Sequence, residues 1–197
     1  MPTRLLLLAD THVPVRARAL PQQVLAAVER ADLVVHAGDW VGEPVLDQLE
    51  LACAAAGARL VGVAGNNDGP ALHVRLGQVA AVDVEGLRLA VVHETGPAKG
   101  RERRCADRFG VPGPSGPPAD VLVFGHSHVP WDSTATRPDG GPLRLLNPGS
   151  PTDRRRQPAC TYLTATAAAG ALHDVALHAL PPRARPRSAV RGGGAPG

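Results

Sequence analysis

The rest of the chain is organised around the stretch DVLVFGHSH, residues 120–128. Its apolar run Val121–Phe124 is typical of a buried strand, and Gly125 opens a turn directly after it. His126 and His128 follow at positions i and i+2, and in an extended backbone two such side chains point to the same face. Two imidazoles that face one pocket suit zinc, iron, manganese or nickel. The same pair fits two surface loop histidines equally well, so the rest of the chain has to decide.

Upstream of this stretch, predicted strands alternate with predicted helices. The strands are Arg4–Ala9, Asp32–His36 and Arg59–Ala64, and the helices between them are Leu20–Arg30 and Val45–Ala56. Strand–helix–strand alternation predicts a parallel sheet with right-handed crossovers.

The pattern changes after residue 77. Strands at Gln78–Glu85 and Leu87–Val92 are joined at Gly86, a helix follows at Lys99–Phe109, and the proline-rich stretch 110–118 is predicted to be a loop. Two further hairpins are predicted, at Trp131–Leu146 and at Ala159–Thr166 with Ala171–Leu180. We expect residues 1–180 to form one domain and residues 181–197, rich in Pro, Arg and Gly, to be a disordered tail.

Composition excludes several classes of protein. The 197 residues suffice for one domain, and the formal net charge of +3 less the four positive charges of Arg183, Arg185, Arg187 and Arg191 is −1. No basic patch with interleaved aromatic residues is present, so nucleic-acid binding is not expected. Three separated cysteines without a CxxC pair argue against disulfides and thiolate zinc sites. The apolar run Leu5–Leu8 is too short for a signal peptide or a membrane span, so a cytoplasmic protein is expected.

Side chains of metal-ligand type follow the predicted strands at several places along the chain. The seven candidates are Asp10, His12, Asp39, Asn66, His93, His126 and His128. In open α/β sheets, ligands collect at the carboxyl edge of the strands. Seven nitrogen and oxygen ligands are too many for one tetrahedral site and fit two divalent ions about 3.5–4 Å apart, which can hold a bridging hydroxide and clamp a phosphate. The ligand types favour manganese, iron, zinc, cobalt or nickel over magnesium, calcium or copper(I), and they do not choose among the five. Of these, manganese is the metal we expect.

The motifs DTH (10–12), GD (38–39), GNND (65–68), the lone His93 and GHSH (125–128) resemble, in order and spacing, the five motifs of the calcineurin-like metallophosphoesterases. The short length and the NPGS motif at 147–150 resemble the small bacterial and archaeal phosphodiesterase branch. This resemblance covers residues 3–165. It implies an α/β fold of four layers, an α/β/β/α sandwich in which two mixed β-sheets pack face to face with helices outside.

The resemblance also implies roles for individual residues. It assigns the first metal to Asp10, His12 and His128, the second metal to Asn66, His93 and His126, and the bridge between them to Asp39. It further implies catalytic roles for Asp39, Asn67 and His126. Larger relatives carry a histidine at the position of Asn67. Because an amide cannot deliver a proton, we expect this chain to prefer esters with good leaving groups, such as aryl phosphodiesters.

Several other residues keep two interpretations. Asp68 either orients a ligand or makes local turn contacts. We expect His36 to be packed or to support a ligand, without being a ligand itself. His73 can reach substrate, but we expect a plain helix or surface residue. We expect Asn147–Ser150 to form a structural turn against the metal loops. Of Arg154, Arg155 and Arg156, one can bind a substrate phosphate, and Arg154 is the candidate we choose; a solvated charge run is the alternative.

The expected function is hydrolysis of a small-molecule phosphate ester, most simply a phosphodiester. A phosphomonoesterase or nucleotide hydrolase of the same superfamily is the first alternative. The second is a protein-binding scaffold, because a eukaryotic retromer subunit resembles this fold but has lost key ligands. A homo-oligomer is compatible with the sequence, and no membrane partner is expected.

Overall fold

Ten strands and four helices make up the computed structural model, which describes residues 1–113 and 116–182. The strands are β1 (Thr3–Leu8), β2 (Leu33–His36), β3 (Arg59–Gly62), β4 (Val79–Val84), β5 (Leu87–Val92), β6 (Val121–Val123), β7 (Trp131–Thr136), β8 (Pro142–Asn147), β9 (Thr161–Ala168) and β10 (Ala171–Ala179). The helices are α1 (Gln22–Val28), α2 (Glu43–Ala56), α3 (Pro70–Leu76) and α4 (Arg101–Phe109).

The strands form two five-stranded mixed sheets. The first has the order β10-β9-β1-β2-β3 and the second β4-β5-β6-β8-β7. In the first sheet β1, β2 and β3 are parallel, as predicted from the strand–helix alternation, and β9 runs antiparallel to β1. In the second sheet β5, β6 and β8 are parallel, with β4 and β7 antiparallel at the edges.

Alternate residues of β1 build two separate cores. Leu5 and Leu7 pack between the sheets, whereas Leu6 and Leu8 pack with residues of α1 and α2 on the other face. A third core joins α4 to the outer face of the second sheet, around Phe124. Because β1 is buried on both faces, its sequence is a continuous apolar run rather than an alternating one. The order helix, sheet, sheet, helix is the predicted four-layer sandwich.

Most predicted elements are present with shifted ends. Helix α1 is shorter than the predicted 20–30, and α2 begins at Glu43 rather than Val45. Helix α3 was not predicted, since its seven residues between Gly69 and Gly77 are too few to show a helical period. The predicted tail lies outside the described residues from position 183 onward, as do positions 114 and 115 of the predicted loop. Among the described residues, no helix is both long and apolar enough to cross a membrane.

Candidate metal centre

The backbone at the strand ends is left-handed at five of the seven candidate ligands. The residues are Asp10 (φ 54°), His12 (45°), Asp39 (60°), His126 (70°) and His128 (59°). Residues other than glycine rarely adopt this conformation, and where it persists it clusters at functional sites. The expectation that residues 126–128 are extended and direct both imidazoles to one face was therefore wrong. The two left-handed turns send the two side chains to different groups of ligands.

The first group consists of Asp10, His12 and His128. The Nε2 atoms of the two histidines are 3.1 Å apart, and His128 Nε2 lies 3.5 Å from Asp10 Oδ1. All three residues are buried. The Nδ1–H of His128 donates to the carbonyl oxygen of Asp153 at 2.6 Å. This bond leaves the Nε2 lone pair of His128 directed into the group, which is the tautomer that a metal ligand requires.

The second group consists of Asn66, His93 and His126. Asn66 Oδ1 lies 2.9 Å from His93 Nε2 and 2.8 Å from His126 Nδ1, and these two nitrogens are 3.3 Å apart. The Nδ1–H of His93 donates to the carbonyl oxygen of Ala37 at 2.8 Å. The ring of His93 is thus oriented in the same way as the ring of His128, with Nε2 facing the other donors.

Asp39 lies between the two groups. Its Oδ2 is 3.4 Å from His12 Nε2 in the first group, and its Oδ1 is 3.4 Å from His93 Nε2 in the second. Asn67 donates to the same carboxylate twice, from its backbone N–H at 2.9 Å and from Nδ2 at 2.7 Å. Burial alone would raise the pKa of Asp39, but the hydrogen bonds and charge of His93, together with those of Asn67, outweigh burial and lower the pKa. Asp39 is therefore an ionised carboxylate facing both groups.

The donor set fits divalent cations. Two triads have donor atoms within 4.8 Å of one another: Asp10 with His12 and His128, and Asp10 with Asp39 and His93. Asp10 Oδ2 is buried and has no hydrogen-bond partner in the described part of the chain. Burial is the main cause that raises the pKa of Asp10 to about 8, and the neighbouring charge of Asp39 adds to the shift. A buried carboxylate oxygen without a partner, beside imidazole lone pairs, is a site that a cation would satisfy.

Asp68 fixes the loops that carry the ligands. Its Oδ2 accepts hydrogen bonds from the backbone N–H groups of Asp39 (3.1 Å) and Gly65 (2.7 Å), and its Oδ1 accepts one from Val41 (2.6 Å). Asp68 therefore joins the loop after β2 to the loop after β3 and positions Asp39 through its backbone. Of its two interpretations, the structure favours the orienting one. Nothing in the local sequence signals that Asp68 reaches a loop 29 positions away.

The Asn147–Ser150 turn supports the other loops, as predicted. Asn147 Nδ2 donates to the carbonyl oxygen of Gly125 at 2.9 Å, and Ser150 Oγ donates to that of Asp10 at 2.7 Å. Thr152 Oγ1 also donates to the Asp10 carbonyl, at 3.2 Å. These bonds tie the turn after β8 to the backbone on both sides of the candidate ligands.

Glycine at position 65 allows the loops after β2 and β3 to touch. A Cβ atom there would collide with the carboxylate and the backbone nitrogen of Asp39. Gly38 is similarly confined, since a Cβ would lie 2.8 Å from His93 Nδ1, and its φ of 87° is left-handed as well. The glycines of the GD and GNND motifs thus allow the backbone to lie directly against the side chains of the candidate metal ligands His93 and Asp39.

His36 and His73 lie outside both ligand groups, as expected from the sequence. His36 is fully buried, stacks on Trp40 at a centroid distance of 3.6 Å, and pairs with Thr11 Oγ1 at 3.1 Å. His73 lies on α3, and its side chain is partly exposed.

Arg155, rather than Arg154, is the arginine beside the centre. Arg154 Nη1 donates to the carbonyl oxygen of Gln157 at 2.6 Å, on its own loop. Arg155 Nη1 lies 3.4 Å from the carbonyl oxygen of His126, and its side chain is exposed. On this geometry Arg155 replaces Arg154 as the candidate for contact with a bound anion. Residue type alone does not distinguish three consecutive arginines, because the direction of each side chain depends on the conformation of the loop.

Comparison with known proteins identifies the family of the chain. Residues 3–170 match the family model of the calcineurin-like phosphoesterase superfamily domain. The chain belongs to this superfamily. A probable metallophosphoesterase of Methanocaldococcus jannaschii is 30% identical over 149 residues, which cover 74% of this superfamily member and 66% of the archaeal protein.

Two solved structures share the fold. A Thermotoga maritima protein studied by NMR is 28% identical, with a TM-score of 0.67, and the match covers 90% of this chain and 99% of that one. Vacuolar protein sorting 29 of Cryptosporidium parvum is 16% identical with a TM-score of 0.65, covering 91% and 98%. At that identity, the second likeness concerns the fold alone. Family membership and the candidate ligand groups both support metal-dependent phosphoester chemistry, although the match spans only 66% of that archaeal relative.

Proposed function

We propose that the protein is a phosphodiesterase with a dinuclear metal centre, which hydrolyses a P–O bond of a small-molecule phosphodiester. The observation that carries the proposal is the position of Asp39, within 3.4 Å of a histidine nitrogen of each ligand group. Asp10, His12 and His128 would hold one ion, Asn66, His93 and His126 the other, and Asp39 both. Manganese is the proposed metal, and iron, zinc, nickel and cobalt suit the same donors.

Bound divalent cations supply the positive charge that stabilises phosphoryl oxygens and acidifies water. The chain itself supplies orientation. Asn67 holds the Asp39 carboxylate through two donors, and its Nδ2 has a second N–H available to a phosphoryl oxygen. Arg155 adds a positive charge beside His126 that favours an anionic ester.

Esters with good leaving groups are the proposed substrates. Many larger relatives carry a histidine at the position of Asn67. The amide of Asn67 cannot donate a proton to a leaving group. The aryl group of such a diester leaves as a phenolate, which needs no proton. The lack of a general acid therefore slows the hydrolysis of aryl diesters little. An alkyl leaving group would need protonation, and we expect such esters to react slowly.

The test is hydrolysis of bis(4-nitrophenyl) phosphate and of 4-nitrophenyl phosphate by the protein with added Mn²⁺, with the Asp39→Asn variant as control. The proposal predicts metal-dependent hydrolysis that is faster on the diester and is lost in the variant. Faster hydrolysis of the monoester would make the protein a phosphomonoesterase. Absence of hydrolysis on both, with metal bound, would contradict the proposal and favour a protein-binding scaffold.

A scaffold is the weaker candidate. The likeness to vacuolar protein sorting 29 concerns the fold, which does not by itself carry a function. All seven candidate positions hold side chains competent to bind a metal, and a scaffold has no need of them. The orphaned Asp10 Oδ2 and the close His12–His128 pair also support a cation-binding role.

A further inference from the structure

A cleft extends from the second ligand group to the space between α3 and α4. Its volume is about 760 Å³. The lining includes Asn66 and His93 of the ligand group, His73 of α3, Gln78 before β4, and Arg108 and Phe109 of α4. The cleft therefore begins at the candidate metal centre and continues well beyond it.

The size of the cleft exceeds what a phosphate group needs. Pockets of about 300–1,000 Å³ enclose drug-sized organic ligands. A phosphoryl group held at Asn66 and His93 would leave most of the space for one of its substituents. The dimensions thus fit a diester with one large substituent better than inorganic phosphate or a simple monoester.

The lining predicts the chemistry of that substituent. Two cations, Arg104 and Arg108, are matched by two anions, Glu94 and Asp107, so the cleft has no excess charge that would select a second anionic group. Arg104 of α4 donates to carbonyl oxygens of the loop that precedes the helix, at 2.7 Å from that of Lys99 and 3.2 Å from that of Thr95. Because the charges of the lining balance, the cleft suits an uncharged substituent.

His73 and Gln78 supply unused hydrogen-bonding groups. Within the described residues, neither side chain makes a hydrogen bond or an ion pair, although both line the cleft. Val92 and Phe109 contribute apolar surface to the same lining. An apolar wall with free imidazole and amide groups suits a ring system that has a polar edge.

We propose that this cleft binds the non-leaving substituent of the diester, a neutral group of about nucleoside size, and that His73 and Gln78 recognise its polar edge. The expected effect on the rate of diester hydrolysis rests on the proposed function. Binding of the substituent itself depends only on the cleft.

The first test compares two diesters that share one leaving group, methyl 4-nitrophenyl phosphate and thymidine 5′-(4-nitrophenyl) phosphate. We expect kcat/KM to be at least about tenfold higher for the thymidine ester. The double variant His73→Ala/Gln78→Ala should lose this preference, because its kcat/KM for the thymidine ester falls to about that for the methyl ester. Val74→Ala is the matched control, since Val74 lies on the same helix, is 87% exposed and is not part of the lining.

The second test measures binding without turnover. Calorimetry of the Mn²⁺-loaded protein should show about tenfold tighter binding of thymidine 5′-monophosphate than of inorganic phosphate, and the double variant should abolish the difference. Tighter binding without hydrolysis would uphold the cleft and overturn the phosphodiesterase function. Equal kcat/KM for the two diesters together with equal affinities would overturn the cleft and leave the hydrolytic function intact. Absence of both hydrolysis and preferential binding would overturn both.

Discussion

Two of the four histidines at the centre, His93 and His128, are oriented by a hydrogen bond from their second ring nitrogen. His93 and His128 both donate from Nδ1 to a backbone carbonyl oxygen, of Ala37 and of Asp153 respectively. These carbonyls belong to different loops, so the orientation of each ring depends on the packing of the loops and not on neighbouring residues. The same holds for Asp39, whose carboxylate is held by Asn67 from the next loop.

Arg155 provides the first prediction at the scale of one residue. We expect Arg155→Ala to raise KM for a diester by about tenfold with a smaller change in kcat, because the lost guanidinium contacts the ground state and the transition state alike. Steady-state kinetics with Mn²⁺ measures both constants. Arg154→Ala is the matched control and should leave them unchanged, since Arg154 is directed to Gln157. Equal effects of the two substitutions would contradict the assignment.

His36 provides a prediction for pH. Burial, followed by the charges of His93 and His12, lowers the pKa of His36 well below its ordinary value, so the folded chain keeps His36 neutral. Below about pH 6.5 the unfolded chain binds a proton that the folded chain does not, and stability therefore falls as pH falls, by up to about 1.4 kcal/mol per pH unit. Urea unfolding with chelator present measures this dependence. His36→Gln should have a shallower slope between pH 6.5 and 5, and parallel curves would refute the prediction.

At the scale of elements, the loops after the strands build the centre. The four candidates Asp10, His12, Asp39 and Asn66 follow β1, β2 and β3 of the first sheet. The other three, His93, His126 and His128, follow β5 and β6 of the second sheet. Parallel strands bring these loops to one edge, and the glycines of the motifs let the loops come into contact.

Gly65 provides a prediction at this scale. Gly65→Ala would place a methyl group on the Asp39 backbone and carboxylate. We expect a loss of stability of about 1–3 kcal/mol and weaker binding of Mn²⁺. Gly69→Ala is the matched control in the same loop, because a Cβ at position 69 meets nothing within 4 Å. Thermal unfolding and Mn²⁺ titration measure both effects; similar results for the two variants would contradict the close approach.

How much of the site the sequence predicts depends on distance along the chain. Asp10 and His126 could be placed at the rim because each follows an apolar run typical of a buried strand, and because similar junctions recur along the chain. Helix α3 could not be predicted from seven residues, and the left-handed turns at His126 and His128 are imposed by neighbouring loops. The role of Asp68 likewise depends on a loop that is distant in sequence, which periodicity and local propensity do not report.

At the scale of the whole molecule, bound metal would join the two sheets. Four candidate ligands come from the first sheet and three from the second, so ions at the centre would add cross-links between the layers. Ligands that bind only the folded state stabilise it by about 2.7 kcal/mol at a hundredfold excess over Kd.

We therefore expect Tm to fall by about 5–10 °C when EDTA replaces saturating Mn²⁺. Differential scanning calorimetry measures the shift. The Asp39→Asn variant is the control, and its Tm should respond far less to the chelator. An identical Tm in Mn²⁺ and EDTA for the original chain would refute the cross-link between sheets.

Metal content tests the paired centre most directly. The chain is stripped with chelator, dialysed to equilibrium against Mn²⁺, and analysed for manganese and protein in the same sample. Two tightly held ions per chain, reduced to one or none by Asp39→Asn, is the result that a shared carboxylate predicts. A single ion, or none, in the unaltered chain would mean that these seven side chains do not form a dinuclear site.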